Sequence, residues 1–151
     1  MAAGLNLGLS SMKSMFVAFV VALGLWAAPA AASTIVARID LSEQTMRVFV
    51  DGWPRYTWKV STARSGYVTP VGHYQAQRLE AMWYSRKYDM SPMPHSIFFH
   101  GGYAIHGTYS VKYLGRPASH GCIRLHPDNA ATLYSLVRAA GMSNTQIEVT
   151  Q

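Results

Sequence analysis

A β-rich α+β domain with one amphipathic helix near its C-terminus is the fold the sequence predicts, and three observations carry it. Apolar residues alternate with a period of two at Ile35, Ala37, Ile39 and Leu41, and again at Met46, Val48 and Val50, the pattern of half-buried strands. Turn-formers punctuate these runs: at Asp51-Gly52 both residue types tolerate the positive φ of a tight hairpin. A helical period appears only between Pro127 and Ala140, where Leu133, Leu136, Val137 and Ala140 stand three and four apart.

Ahead of the first strand, Lys13 precedes an apolar run from Met15 to Ala28 and the small residues Pro29-Ala30-Ala31-Ala32-Ser33. A positive end, an apolar middle and cleavable small residues in that order read as a secretory signal over residues 1–32, cut after Ala30 or Ala32. The run is short for a membrane span, which needs about 20 apolar residues. No stable span is therefore expected once the leader is removed; an uncleaved anchor is the alternative. Residues 33–151 are then enough for one domain with one core and too few for two.

After the Asp51-Gly52 turn, Tyr56 to Thr62 is expected to return as an antiparallel strand. Thr69-Pro70-Val71-Gly72-His73-Tyr74 turns the chain into the next strand, Gly72 to Arg78. From Leu79 to His95 the period is lost, since Met82, Trp83, Tyr84, Tyr88, Met90 and Met93 are mixed with Pro92, Pro94 and charges. A long loop is expected there, either binding a ligand or covering the core. Ser96 to Phe99 and Tyr103 to His106 read as short strands around Gly101-Gly102, and Gly107 to Ala118 as a loop leading to the cysteine. Pro127 suits a first helical turn and Gly141 a C-terminal cap. Gln146 to Thr150 closes the domain as a strand.

Thirteen Lys and Arg stand against seven Asp and Glu, a net charge of +6. Apart from Lys13, the cations are scattered from Arg38 to Arg138 with no recognition-helix motif, so nucleic acid is not an expected partner. Scattered charge reads first as solvated surface and second as attraction for an anionic polymer.

Cys122 is the one cysteine of the chain, so it has no partner for an internal disulfide. It lies in Ser119-His120-Gly121-Cys122-Ile123-Arg124-Leu125, downstream of a second His-Gly pair at His106-Gly107. A thiol attacks carbonyls as thiolate, and near neutral pH it is mostly protonated unless a base or cation lies beside it. His106 is the candidate base, expected to fold against the sulfur and ionise it. His120 competes; two residues before Cys122, it is expected to project to the opposite side of an extended segment. Gly121 permits a sharp bend in which successive N–H groups converge on an oxyanion. Arg124 offers a charged fork to a substrate carboxylate, or a structural ion pair. Ser119 offers a hydrogen bond, within the turn or to a substrate.

Zinc is the other chemistry that His120, Cys122 and His126 suggest. Structural zinc sites use paired, closely spaced ligands, which this pattern lacks, so neither metal nor cofactor is expected. His73, His95, His100 and His126 read as ordinary surface or core residues.

Ile105-His106-Gly107-Thr108 followed by Ser119-His120-Gly121-Cys122-Ile123-Arg124-Leu125 resembles the signature of the YkuD-type L,D-transpeptidases. Thr69-Pro70-Val71-Gly72-His73-Tyr74 is similar to their upstream Thr-Pro-x-Gly-x-aromatic segment. The resemblance runs from about Thr34 to Val149 and implies a mixed β-sandwich catalytic domain. It implies that Cys122 attacks the L-to-D peptide bond before the terminal D-alanine of a peptidoglycan tetrapeptide stem, after which an amine of a neighbouring stem captures the thioester in a 3-3 cross-link. It implies His106 as general base, the Gly107 carbonyl as its orienting partner, and the N–H groups around His120, Gly121 and Cys122 as the oxyanion site. Arg124 falls on a family Arg position that shapes the site or holds substrate.

Peptidoglycan stem peptides are then the expected partner, the periplasm or cell wall the place of action, and a monomer the acting state. No separate wall-binding module is visible, which leaves substrate affinity to the 79–95 segment and the basic surface. Water, a D-amino acid or a protein amine would use the same acyl-enzyme. A noncatalytic wall- or metal-binding domain is the alternative of a different class.

Overall fold

The computed structural model describes Met1 and residues 32–151; residues 2–31 of the expected leader lie outside it. Among the described residues, β1 (Ile35–Asp40), β2 (Thr45–Val50), β3 (Trp53–Lys59), β4 (Gly72–Gln75) and the last strand β9 (Thr145–Thr150) form one sheet in the order β3-β2-β1-β9-β4. A second sheet, in the order β5-β6-β7-β8, joins β5 (Arg78–Ser85), β6 (Ser91–His100), β7 (Tyr103–Gly107) and β8 (Ile123–Leu125). One α-helix, α1 (Pro127–Ala140), shares the core with both.

The five-stranded sheet follows the alternation of the sequence. Ile35, Ala37 and Ile39 of β1, Met46 and Val48 of β2, and Ile147 and Val149 of β9 point inward and are buried. β1 pairs antiparallel with β2 and parallel with β9, so the first and last strands close the sheet together. Asp51 and Gly52 both take positive φ, 52° and 80°, as the sharp turn requires. The Asp51 carboxylate also accepts the Thr34 N–H at 2.8 Å.

α1 spans the predicted residues. His126 caps it, its Nδ1 accepting the Asp128 N–H at 3.3 Å, and Pro127 begins its first turn. Gly141 ends it at φ 90°, its N–H donating to the Val137 carbonyl at 2.8 Å. Ala130, Leu133, Val137 and Ala140 form the face buried against Ile97, Phe99 and Ile105.

Three boundaries depart from the sequence reading. β3 runs from Trp53 to Lys59 rather than from Tyr56 to Thr62, because the turn is tight enough for Trp53 to pair at once with Val50. β4 stops at Gln75 rather than Arg78, because the chain changes sheets there: the Gln77 N–H already donates to the Phe98 carbonyl of β6 at 2.8 Å. The third departure is the largest. Residues 79–95 are not a loop but most of the antiparallel β5–β6 hairpin, with Arg78 opposite Phe98 and Ser85 opposite Ser91. A 3-10 turn, Arg86–Tyr88, and positive φ at Asp89 and Met90 form its tip.

Two features hid this hairpin. Pro92 and Pro94 look like strand breakers, yet they are two apart and turn their nitrogens to the same edge. β7 reaches only from Ile97 onward, so no donor is needed on that edge. The second feature is burial on both sides. Ile97 and Phe99 enter the main core while Met93 and Phe98 pack with Ala104 and Trp83 on the other face, which erases the polar half of the alternation.

Candidate active site

Parallel pairing of β7 with β8 brings the two His-Gly motifs together. Ile105 lies opposite Ile123 and His106 opposite Arg124. Ile105, Ile123 and Leu125 face the main core, so the two-residue period sends Ala104, His106, Cys122 and Arg124 to the other face. There Cys122, like Trp83, packs against the cluster of Met93, Phe98 and Ala104. Cys122, His106, His120 and Arg124 all line one cavity of about 620 Å³, roofed by the hairpin residues Trp83, Tyr88 and Met93.

His106 is buried, 6% exposed, and its Nδ1 lies 2.7 Å from the Gly107 carbonyl oxygen. A carbonyl only accepts, so Nδ1 carries the proton and Nε2 is left as the base. Glycine at 107 gives this fit its room. A Cβ there would stand 3.0 Å from Pro94 Cγ and 3.2 Å from the backbone Cα of Pro127. Burial drives the His106 pKa down to about 4; the Gly107 carbonyl opposes that shift and the Arg124 charge adds to it.

Burial likewise pushes the Cys122 thiol up from its ordinary value, against smaller downward pulls from a backbone hydrogen bond at Ala104 and from the Arg124 charge. The thiol's hydrogen-bond contact is the Gly102 carbonyl at 3.9 Å, and among the described residues none joins it to the His106 ring. This corrects the expectation that His106 ionises the sulfur at rest. Near neutral pH both groups are uncharged, because burial penalises imidazolium and thiolate alike. With Nε2 unprotonated and the thiol lining the same cavity, the arrangement can pass a proton from sulfur to imidazole.

The bend before Cys122 is tightly braced. Gly121 has φ 128°, and a Cβ there would meet Tyr103 Cε1 at 2.5 Å and the Val68 carbonyl at 2.8 Å. Ser119 is fully buried; its hydroxyl donates to the Cys122 carbonyl at 2.7 Å and accepts the Gly121 N–H at 3.0 Å. Ser119 therefore holds the turn and does not face a substrate, contrary to the substrate-contact expectation. With the Gly121 N–H so engaged, the N–H groups of His120 and Cys122 are the remaining candidates for an oxyanion. Thr69 adds a brace whose role the sequence left unassigned, its hydroxyl donating to the Gly121 carbonyl at 2.8 Å.

His120 lines the same cavity but is turned to other partners. Its ring stacks on Tyr88 at 4.2 Å and meets Tyr67 edge-on at 4.6 Å, and Nε2 lies 2.8 Å from Arg64 Nη2. Strand alternation is not the reason, since residues two apart in an extended strand share a face; the Gly121 bend is. Its pKa is lowered, first by burial and then by the charges of Arg64, Arg124 and Lys87. Nε2 accepts from a guanidinium, so His120 is poorly placed to act as base.

Arg124 is half-buried and reaches the Ala118 carbonyl at 3.5 Å. Its own pKa is lowered by burial, partly restored by Cys122. Among the described residues it makes no ion pair, so its charge faces the sulfur's side of the cavity. Arg64, Tyr67 and Thr69 were not read from the sequence as parts of the site, and Tyr88 only as one residue of a 79–95 segment expected to bind a ligand or cover the core. Only the Thr-Pro-x-Gly segment carried a signal for any of the first three. His126 serves as the helix cap, His95 meets Tyr134 edge-on at 5.5 Å, and His100 stacks near Tyr103 at 6.2 Å. No group of three or more His, Cys, Asp or Glu suited to a metal occurs among the described residues.

Comparison with known proteins agrees with the fold. The family profile of the L,D-transpeptidase catalytic domain, YkuD, matches residues 34–149. An L,D-transpeptidase from Mycobacterium smegmatis superposes with a TM-score of 0.71 at 26% identity, covering 79% of this chain and 59% of that one. One from Stackebrandtia nassauensis gives 0.68 at 27% identity, covering 78% and 56%. An L,D-transpeptidase from Mycobacterium tuberculosis shares the fold at 0.71 and 22% identity, covering 79% and 58%. The chain thus spans less than two thirds of the length of these three structures. No curated protein matches it.

Proposed function

The chain belongs to the L,D-transpeptidase catalytic-domain family, and from that premise we propose that it is an exported cysteine transpeptidase acting on peptidoglycan tetrapeptide stems. The observation that carries this reading is the shared cavity face on which β7 and β8 present His106 and Cys122. A substrate carbonyl is attacked by Sγ while the thiol proton passes to Nε2 of His106. The resulting oxyanion is held by N–H groups at the Gly121 bend. Collapse breaks the C–N bond to the terminal D-alanine, whose nitrogen takes the proton from the imidazolium, and a thioester to Cys122 remains.

A thioester stays reactive enough for an amine to capture it without ATP. The side-chain amine of a diamino acid on a second stem then attacks the thioester carbonyl and gives up a proton to His106; the C–S bond breaks, the sulfur takes that proton back, and the 3-3 cross-link is formed. Arg124 binds the carboxylate of the leaving D-alanine, as a permanently charged fork beside the sulfur suits. Export rests on the secretory pattern of residues 1–32 and points to the periplasm or wall. Among the described residues no helix is long and apolar enough to cross a membrane.

Cys122→Ala tests the reading. The variant is expected to unfold like the wild type and to form no cross-linked muropeptide detectable by mass. Unchanged cross-linking in that variant would defeat the proposal. Wild-type products trimmed or exchanged rather than linked would keep the acyl-enzyme and replace the acceptor.

A further inference from the structure

We infer that Arg86 and Lys87, at the tip of the β5–β6 hairpin, form a subsite for an internal carboxylate of the donor stem, distinct from its C-terminal one. The inference rests on the transpeptidase reading and names a substrate feature that reading leaves open. Both residues are exposed and line the same cavity as Cys122, and no Asp or Glu lines that cavity.

The other Arg and Lys residues of the cavity wall are Arg78 and Arg124. Arg78 pairs with Glu80 at 2.7 Å and lies over the Phe98 ring at 3.8 Å. Arg124 stands beside the sulfur. Arg86 and Lys87 enter no ion pair among the described residues, so they leave uncompensated positive charge facing the cavity.

The tip is also held in place. Tyr88 stacks on His120 at 4.2 Å with an interplanar angle of 9°, which ties the adjacent cations to the loop carrying the nucleophile. Two adjacent cations suit a carboxylate. The donor is the partner favoured, because its acyl group occupies the cavity through both half-reactions, whereas the acceptor arrives by a protonatable amine that the same cations repel. The carboxylate belongs either to the diamino acid or to the acidic residue before it, and the two sources are chemically alike.

Four tetrapeptide muropeptides separate them, with each internal carboxylate free or amidated in turn and the C-terminal one kept free. Acyl-enzyme formation is followed by intact-protein mass for the wild type and for Arg86→Gln/Lys87→Gln. Iodoacetamide labelling of Cys122 reports an intact thiol site. Amidating one of the two carboxylates is expected to slow the wild type roughly tenfold. The double variant is expected to match that slow rate on every donor, with labelling unchanged. Equal wild-type rates on acid and amide donors, or a preference that survives in the double variant, would overturn the subsite. Absence of any acyl-enzyme from every donor would instead overturn the transpeptidase reading, and the subsite with it.

Discussion

The five-stranded sheet buries one face and turns the other to solvent, whereas the four-stranded sheet is covered on both sides. In β1 and β9 buried and accessible residues alternate, but β7 is buried from Ala104 through Gly107 and β6 almost throughout from Met93 to Phe99. The one-sided sheet needs only hydrophobic burial to hold it. The two-sided sheet supports the core with one face and lines the cavity of the candidate site with the other. Function here costs pattern: the strands that carry the chemistry are those whose period is hardest to read.

The sharpest break of that comparison is Gly121→Ala. The new methyl would meet Tyr103 and the Val68 backbone well inside contact distance, at a backbone φ of 128°. Strain and overpacking together are expected to cost about 3 kcal/mol in denaturant unfolding. Displacement of the thiol is expected to slow acyl-enzyme formation about 100-fold, as small misplacements of reacting groups do. A variant with wild-type stability and rate would mean that the bend does not position Cys122.

The mildest is Arg38→Ala on the solvent face of the other sheet. Arg38 meets Glu148 at 2.6 Å with its side chain 57% exposed, so solvent screening limits the loss to about 0.5 kcal/mol. Acylation rate is expected to stay at the wild-type value. A large drop in rate would show that the two sheets are mechanically coupled.

The same contrast explains what the sequence made legible. β1, β2, β9, the Asp51-Gly52 turn and α1 each obey a local rule of period, turn or cap, and each lies within a residue of its expected place. The His106 and Cys122 motifs stood out because a lone thiol near histidines is a chemical pattern, not a folding one. The β5–β6 hairpin was missed because its pairing is visible only once β7 fixes where prolines are harmless. Ser119 was misread because a polar side chain beside a nucleophile looks like a substrate contact, while its burial depends on Thr69 and Gly121 bracing the same bend. The charge state of the dyad was also beyond the sequence. Spacing brings an imidazole to a thiol, but the depth of both beneath the hairpin decides which form each takes.

The most direct test of the central claim, that His106 and Cys122 both rest uncharged, is the NMR titration of the His106 ring in the wild type and in Cys122→Ala. The expected midpoint is about 4 in the wild type, and near the same value without the thiol. Between that midpoint and the ordinary value of 6.5 the unfolded chain binds a proton that the folded one refuses. Folding stability is therefore full above pH 6.5 and declines as pH falls toward 4, by up to about 3 kcal/mol. A wild-type midpoint above 6.5 that drops in Cys122→Ala would reveal a resting thiolate–imidazolium pair and contradict the account.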